Sequence, residues 1–255
     1  IEANRNQPFF LYLAYTAPHT PLQATKEDYA ALSHIEDHTL RVYAAMVRNL
    51  DRNIGRVLQT LKDKGLDDNT IVIFTSDNGA ALYSETVDNK PLNGGKMTLF
   101  EGGINVPFIL HCPALFSTPA VVQEPVSLLD IFPTITTAAG LELPDDRTYD
   151  GISLIGDQAD SIAPPVKREL YWYSDYNSAI RIGNAKLLVN TRDHTVDYFD
   201  LHDDPGELNP FPEHPEVHFL HQKLEYWKAT MPSLYWPRIM NYEIKINGKT
   251  YRWAV

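Results

Sequence analysis

The sequence predicts an α/β fold: a mainly parallel sheet flanked by helices, followed by a small antiparallel sheet with one helix packed on it. Three observations carry this expectation. Apolar, strand-like runs at residues 8–15 and 69–76 bracket a long amphipathic segment, the strand–helix–strand order of a parallel crossover. Beyond residue 165 the elements shorten into strand-like runs joined by hairpin signals. The 255 residues, 44% hydrophobic and 22% charged, have a globular composition, long enough for one large domain or two modest ones. Acidic residues and the Pro164-Pro165 pair loosen the pattern at 145–165 and place a boundary between expected domains 1–160 and 161–255.

Each element has a local reason. Residues 8–15 (PFFLYLAY) are apolar on both faces, as in a strand covered from both sides, and Pro18 and Pro21 stop it. Thr25-Lys26-Glu27-Asp28 reads as a helix-start cap. After Asp37, the residues Leu40, Tyr43, Val47, Leu50, Ile54, Val57 and Leu61 recur three and four apart. They form one stripe facing the core, and Gly65 supplies the stop. Residues 69–76 (NTIVIFTS) form a second buried strand that ends on Asp77-Asn78-Gly79. A glycine-flanked loop with a short helical piece at 94–103 leads to a strand at 106–111. A helix at 126–139 then stops at Gly140. In the second part, strands are expected at 169–174, 178–182, 186–190 and 197–201, the middle two turning through Gly183-Asn184, and a helix at 215–231.

Composition narrows the chemistry. Acidic residues number 33 against 22 Lys plus Arg, a net charge of −11 with no basic run, which repels a phosphate backbone and excludes nucleic acid as a partner. The single cysteine, Cys112, forbids an intrachain disulfide and a Cys-based zinc cage. No apolar stretch is long enough to predict a membrane span. The chain opens at Ile1 and reaches an apolar run by Phe9, which reads as a cut through a larger protein.

Ligands of open α/β sheets bind outside the carboxyl ends of the strands. His19 follows the first expected strand, Asp77 and Asn78 the second, and Lys96 sits in the loop before the third. An Asp with an Asn offers hard oxygen ligands for Ca²⁺ or Mg²⁺. A Lys and a His nearby suit an oxyanion substrate, one as a point charge and the other as a proton donor. On spacing alone, an Asx-Gly turn and a surface Gly-Gly-Lys loop explain the same residues equally well.

The wording of the segments adds more. PFFLYLAYTAPHTP (8–21), FTSDNG (74–79), GGKMTLFEGGINVP (94–107), DGISL (150–154), AIRIGNAKLL (179–188) and YFDLHDDPGE (198–207) resemble, in order, the formylglycine-dependent type I sulfatases of the alkaline phosphatase superfamily. The resemblance implies the C-terminal portion of an alkaline-phosphatase-like catalytic domain and hydrolysis of a sulfate monoester. It implies that Asp77 and Asn78 are ligands of a divalent cation, calcium with magnesium as the alternative. Lys96 then contacts the sulfate, and His19 stands near the leaving-group oxygen. A sulfated small molecule or carbohydrate is the implied substrate, and the implied compartment is periplasmic, secreted or lysosomal. Glu101 and its glycines match the motif as loop geometry.

The chain also departs from the family pattern. The formylglycine precursor, C-x-P-S-R or its Ser counterpart, is absent. Cys112 lies in CPALF and reads as a buried strand-end residue. The family's paired aspartates after its first strand are absent too. The nucleophile and the remaining ligands are therefore expected in a missing N-terminal half or a partner chain, and this chain alone is expected to be inactive. The alternatives are a phosphoryl or phosphonate ester hydrolase of the same superfamily, or a non-catalytic half-enzyme that binds sulfated glycans.

Other candidates have plainer readings. Asp146, Thr148, Asp150, Gly151 and Asp157 approximate an EF-hand loop but end on Asp without flanking helices. His214, His218 and His221 read as a solvated helix start, His34 and His38 as a polar turn, and Tyr171-Trp172-Tyr173 as core rather than a sugar platform.

Overall fold

A computed structural model describes residues 1–84, 86–156, 168–233, 236, 238 and 240–254. They gather into two units. The first comprises Ile1–Phe74, Ser84–Val87 and Phe108–Ser117; the second comprises Thr75–Tyr83, Asp88–Pro107 and Thr118–Val255. The boundary expected after residue 160 lies outside the described residues, as does Asp157.

In the first unit, the Thr25 hydroxyl accepts from the Asp28 N–H at 3.1 Å and starts α1 (Lys26–Ala31). Asp37 caps α2 (His38–Asp63) by accepting from the Leu40 N–H at 2.7 Å, and Gly65, at φ +65°, lets the chain leave the helix. The stripe on α2 is only partly covered: Leu61 is buried, while Leu40 and Val47 are exposed. What ties α1 to α2 is a charge. The buried Asp28 carboxylate accepts from Thr25 Oγ1 (2.6 Å), Asn49 Nδ2 (2.8 Å), both Arg52 Nη atoms (2.8 and 2.9 Å) and Arg48. Hydrogen bonds from Asn49 and Thr25, then those from the arginines, overcome burial and hold its pKa well below the usual carboxylate range.

Strands β1 (Val72–Thr75) and β2 (Phe108–His111) pair as a two-stranded sheet. Cys112 follows β2 as a buried residue, its thiol 3.9 Å from the Asp68 carbonyl. Residues 8–15 depart from expectation. None of them enters a ladder, and Phe10 and Tyr12 are 75% and 80% exposed. A run that is apolar on both faces becomes a strand only where neighbours pair its backbone and cover both sides. The described residues supply no such neighbour, so the first half of the expected crossover does not form.

The second unit is built on a meander of β3 (Glu169–Ser174), β4 (Asn177–Ile182), β5 (Ala185–Asn190) and β6 (Thr195–Asp200), antiparallel throughout. Gly183, at φ +59°, makes the β4–β5 turn. Pairing Ile180 with Leu187 and Leu187 with Tyr198 puts these residues on one face, under Leu220 and Leu224 of α5 (Val217–Thr230). Each such aliphatic side chain contributes about 1.5–3 kcal/mol by leaving water. The opposite face carries Ala179, Leu188 and Phe199, packed against Phe100 and against Tyr251 and Trp253. The last two belong to a hairpin of β7 (Asn241–Ile246) and β8 (Lys249–Ala254). Between β2 and β3, a Ser127/Asp130 capping box and a 3₁₀ turn at Leu128–Asp130 open α4 (Ile131–Ala138). Gly140 follows α4 at φ +66°.

Candidate active site

β1 ends where Asp77-Asn78-Gly79 begins. Asp77 is exposed and Asn78 half-buried. The Asn78 N–H donates to Asp77 Oδ1 at 3.0 Å, and the Ser76 hydroxyl donates to the Asn78 carbonyl at 2.9 Å. Asn78 Nδ2 donates to the Gly79 carbonyl at 2.9 Å, which identifies Oδ1 as the amide's acceptor atom. The turn is thus shaped by its own polar side chains, which include a carboxylate and an amide oxygen.

A second loop is pressed against it. The Gly79 N–H donates to the Gly103 carbonyl and the Lys96 N–H to the Ala80 carbonyl, both at 3.0 Å. Asn89 braces the pair. Its Oδ1 accepts from the Ala80 N–H (2.9 Å), and its Nδ2 donates to the carbonyls of Ala80 (3.2 Å) and Gly94 (2.9 Å). The approach is close enough to demand glycine: a Cβ on Gly79 would fall 1.7 Å from the Gly102 oxygen, and one on Gly95 would fall 2.3 Å from the Ala80 oxygen. Asp77, Asn78 and the half-buried Lys96 are therefore held on two backbones stitched together.

The Lys96 loop has its own anchors. Phe100 is fully buried, edge-on to Tyr251 (4.9 Å), Trp253 (5.3 Å) and Phe199 (6.2 Å). Beside it, α3 (Glu101–Ile104) begins with a buried carboxylate. Glu101 Oε2 accepts from Arg181 Nη1 at 2.6 Å and Oε1 from Lys186 Nζ at 2.9 Å; the same ammonium lies 2.7 Å from Glu207 Oε1. Glu207 Oε2 in turn accepts from the Glu101 N–H at 2.6 Å. Burial pushes the Glu101 pKa up, but Lys186 and Arg181 outweigh it and hold the group below its ordinary value. For Glu207, burial wins and the pKa is raised.

His19 lies in the first unit, exposed, with its N–H donating to the Thr16 carbonyl at 2.9 Å. Its Nδ1 is 2.6 Å from the Thr20 carbonyl; since a carbonyl only accepts, Nδ1 carries the proton in that bond. The other candidates have structural partners. His214 stacks on Tyr198 at 3.9 Å, and His38 Nδ1 is 2.9 Å from the Tyr29 hydroxyl. Tyr171 stacks on Trp227, and Asp146 pairs with Arg147 and Tyr149. Among the described residues no group of three His, Cys, Asp or Glu side chains is placed to hold a metal ion. The Asp77 and Asn78 oxygens are the right donors for a hard cation, and they fit two positions of its shell.

A model of the sulfatase family matches residues 1–141. The chain belongs to the sulfatase family. Among curated sulfatases it is 40% identical over 155 residues to the N-acetylgalactosamine-6-sulfatase of Rattus norvegicus, a match covering 59% of this chain and 28% of that protein. Among solved structures, Ps i-CgsB in complex with k-i-k-neocarrahexaose is 32% identical with a TM-score of 0.82, covering 92% of this chain and 53% of the other. BT4656 in complex with its substrate D-glucosamine-2-N,6-O-disulfate is 27% identical with a TM-score of 0.58, covering 74% and 40%. The sulfatase chain thus spans between about a quarter and a half of the proteins it matches, and it shares their alkaline-phosphatase-like α/β fold. Members of this family generally use a divalent cation and a formylglycine. No helix among the described residues is long and apolar enough to cross a membrane.

Two features escaped sequence reasoning. The β7–β8 hairpin had a signal, Asn247-Gly248 between alternating Tyr242, Ile244, Ile246 and Tyr251, Trp253. The Glu101–Lys186–Glu207 cluster had none, because its members are 85 and 21 residues apart along the chain and nothing local marks a buried lysine.

Proposed function

We propose that this sulfatase chain carries part of an active site that hydrolyses a sulfate monoester of a sulfated carbohydrate or small molecule. The observation that supports it most is the stitching of the Asp77-Asn78-Gly79 turn to the Lys96 loop, which holds oxygen donors and a cationic side chain on adjoining backbones. In this reading the Lys96 ammonium neutralises charge on the sulfate oxygens. The reading gives His19 the role of stabilising the departing alkoxide or phenoxide. Asp77 and Asn78 hold two positions of a divalent cation, calcium by preference, which when bound supplies Lewis-acid charge.

The 255 residues contain no C-x-P-S-R segment or Ser counterpart. The reading assigns the formylglycine nucleophile, and the ligands that complete the cation's shell, to a preceding segment or partner chain. The parent protein is then expected in the periplasm, the lysosome or outside the cell. Its sulfated ligand follows that of BT4656 in chemical class, a sulfated sugar.

The test is turnover of aryl sulfate and aryl phosphate by three samples: this chain, the longer parent coexpressed with a formylglycine-generating enzyme, and that parent carrying Lys96→Ala. The expected result is no turnover by the chain alone and a preference for sulfate by the parent. Lys96→Ala should lower kcat/KM by about a hundredfold or more. Turnover by the isolated chain, a preference for phosphate, or an undiminished Lys96→Ala rate would each overturn the reading.

A further inference from the structure

Lys186 is fully buried, and so is Glu207; the Glu101 and Arg181 side chains are 3% and 15% exposed. Burying four ionic groups is an expensive way to make a core, since well-packed apolar side chains of similar size stabilise a fold as well or better. What charges add is direction. Lys186 Nζ sits 2.9 Å from Glu101 and 2.7 Å from Glu207, while Glu207 reaches the Glu101 backbone N–H at 2.6 Å, so the first residue of α3 is fixed through side chain and main chain together. The Asn93 amide adds a bond to the Glu207 carbonyl at 3.4 Å.

The turn of α3 is also where both site loops meet. Gly102 donates to the Asn93 carbonyl at 2.7 Å, and Gly103 accepts from Gly79. A Cβ on Gly103 would fall 2.4 Å from the Thr98 oxygen and 2.5 Å from that of Gly95, immediately before Lys96. Any shift of Glu101 therefore passes to the Asp77-Asn78-Gly79 turn through Gly103 and to Lys96 through Gly95 and Thr98. Lys186 and Arg181 stand on β5 and β4, on the sheet face that also packs Phe100, so the anchor is the rigid meander.

We propose that Lys186, with Glu101, Arg181 and Glu207, is a positioning device that sets the Lys96 loop against the Asp77-Asn78 turn. The proposal rests on the sulfatase reading of that site. None of the four touches substrate; they act by holding α3. The cost of losing them is one of placement, and a displacement of about 1 Å at a catalytic group can lower a rate by about a hundredfold.

The decisive variant is Lys186→Met with Glu207→Gln, which removes one charge of each sign and leaves the Glu101–Arg181 pair. Amide hydrogen exchange on this chain should speed about tenfold or more at Gly79 and Lys96 while the amides of Ile180 and Leu187 keep their protection. In the parent sulfatase, kcat should fall about tenfold or more in the folded variant, with KM changed less. Glu207→Gln alone, which keeps an acceptor for the Glu101 N–H, should stay close to wild type in both measurements. If the double variant fails to fold, Arg181→Met replaces it and should speed exchange at the same two amides. Unchanged exchange at Gly79 and Lys96, or equal acceleration throughout β4 and β5, would overturn the proposal. Lys96→Ala run alongside keeps the two claims apart: its failure to affect turnover removes the site reading, while the exchange pattern still decides the positioning.

Discussion

Two of the buried charge centres among the described residues, one in each unit, work in opposite ways. In the first unit a single carboxylate, Asp28, collects its donors from Thr25, Asn49, Arg48 and Arg52, and the two arginines remain 43% exposed. In the second unit a single ammonium, Lys186, is shared by two carboxylates, and every member is nearly or wholly out of solvent. The arginines around Asp28 can return to water when their partner is removed. Lys186, Glu101 and Glu207 cannot. A centre whose partners can re-solvate is a local clasp between two helices. One whose partners cannot is an all-or-nothing junction.

Breaking each centre should expose that difference. The largest effect is expected from Lys186→Met alone, which leaves two buried carboxylates with one arginine; it should cost about 3–5 kcal/mol in denaturant unfolding. Asp28→Asn should cost less, lowering the thermal midpoint by several degrees, because Asn keeps a hydrogen-bonding group and Arg48 and Arg52 stay partly solvated. A larger loss from Asp28→Asn than from Lys186→Met would reverse the comparison.

The smallest effect lies in pH dependence. The depressed pKa of Asp28 means its contribution is fully present above the ordinary carboxylate range and is lost as pH falls through the folded value. The raised pKa of Glu207 has the opposite sign: its contribution is present below the ordinary glutamate value and is lost as pH rises through the folded one. Urea unfolding between about pH 4 and about pH 8 should show Glu207→Gln gaining on wild type as pH rises. A constant difference across that range would remove the contrast between the centres.

How much of this was legible follows from where each signal resides. The caps at Thr25 and Asp37, the stops at Gly65 and Gly140, and the strands from Glu169 to Asp200 all rest on local chemistry, and each forms close to where it is expected. Residues 8–15 carried the strongest apolar signal and formed no strand, since pairing is a property of neighbours rather than of the run itself. The same holds within the site. Asp77, Asn78 and Lys96 were visible as residue types at strand ends, while the bonds that stitch their loops run between main-chain atoms and through Asn89. Glu101 was visible only as part of a glycine motif, and its buried partners came from strands 80 and 85 residues further along.

The Asp77-Asn78 turn and the Lys96 loop are proposed to act as one site. A double-mutant cycle on the parent sulfatase measures it directly, comparing kcat/KM for an aryl sulfate in Asp77→Asn, Lys96→Ala and the double variant. Groups serving one oxyanion lose most of their value together, so the double variant should be about 1 kcal/mol or more better than the sum of the singles. Additivity of the two losses to within about 0.5 kcal/mol would mean that the residues act independently and serve no common site.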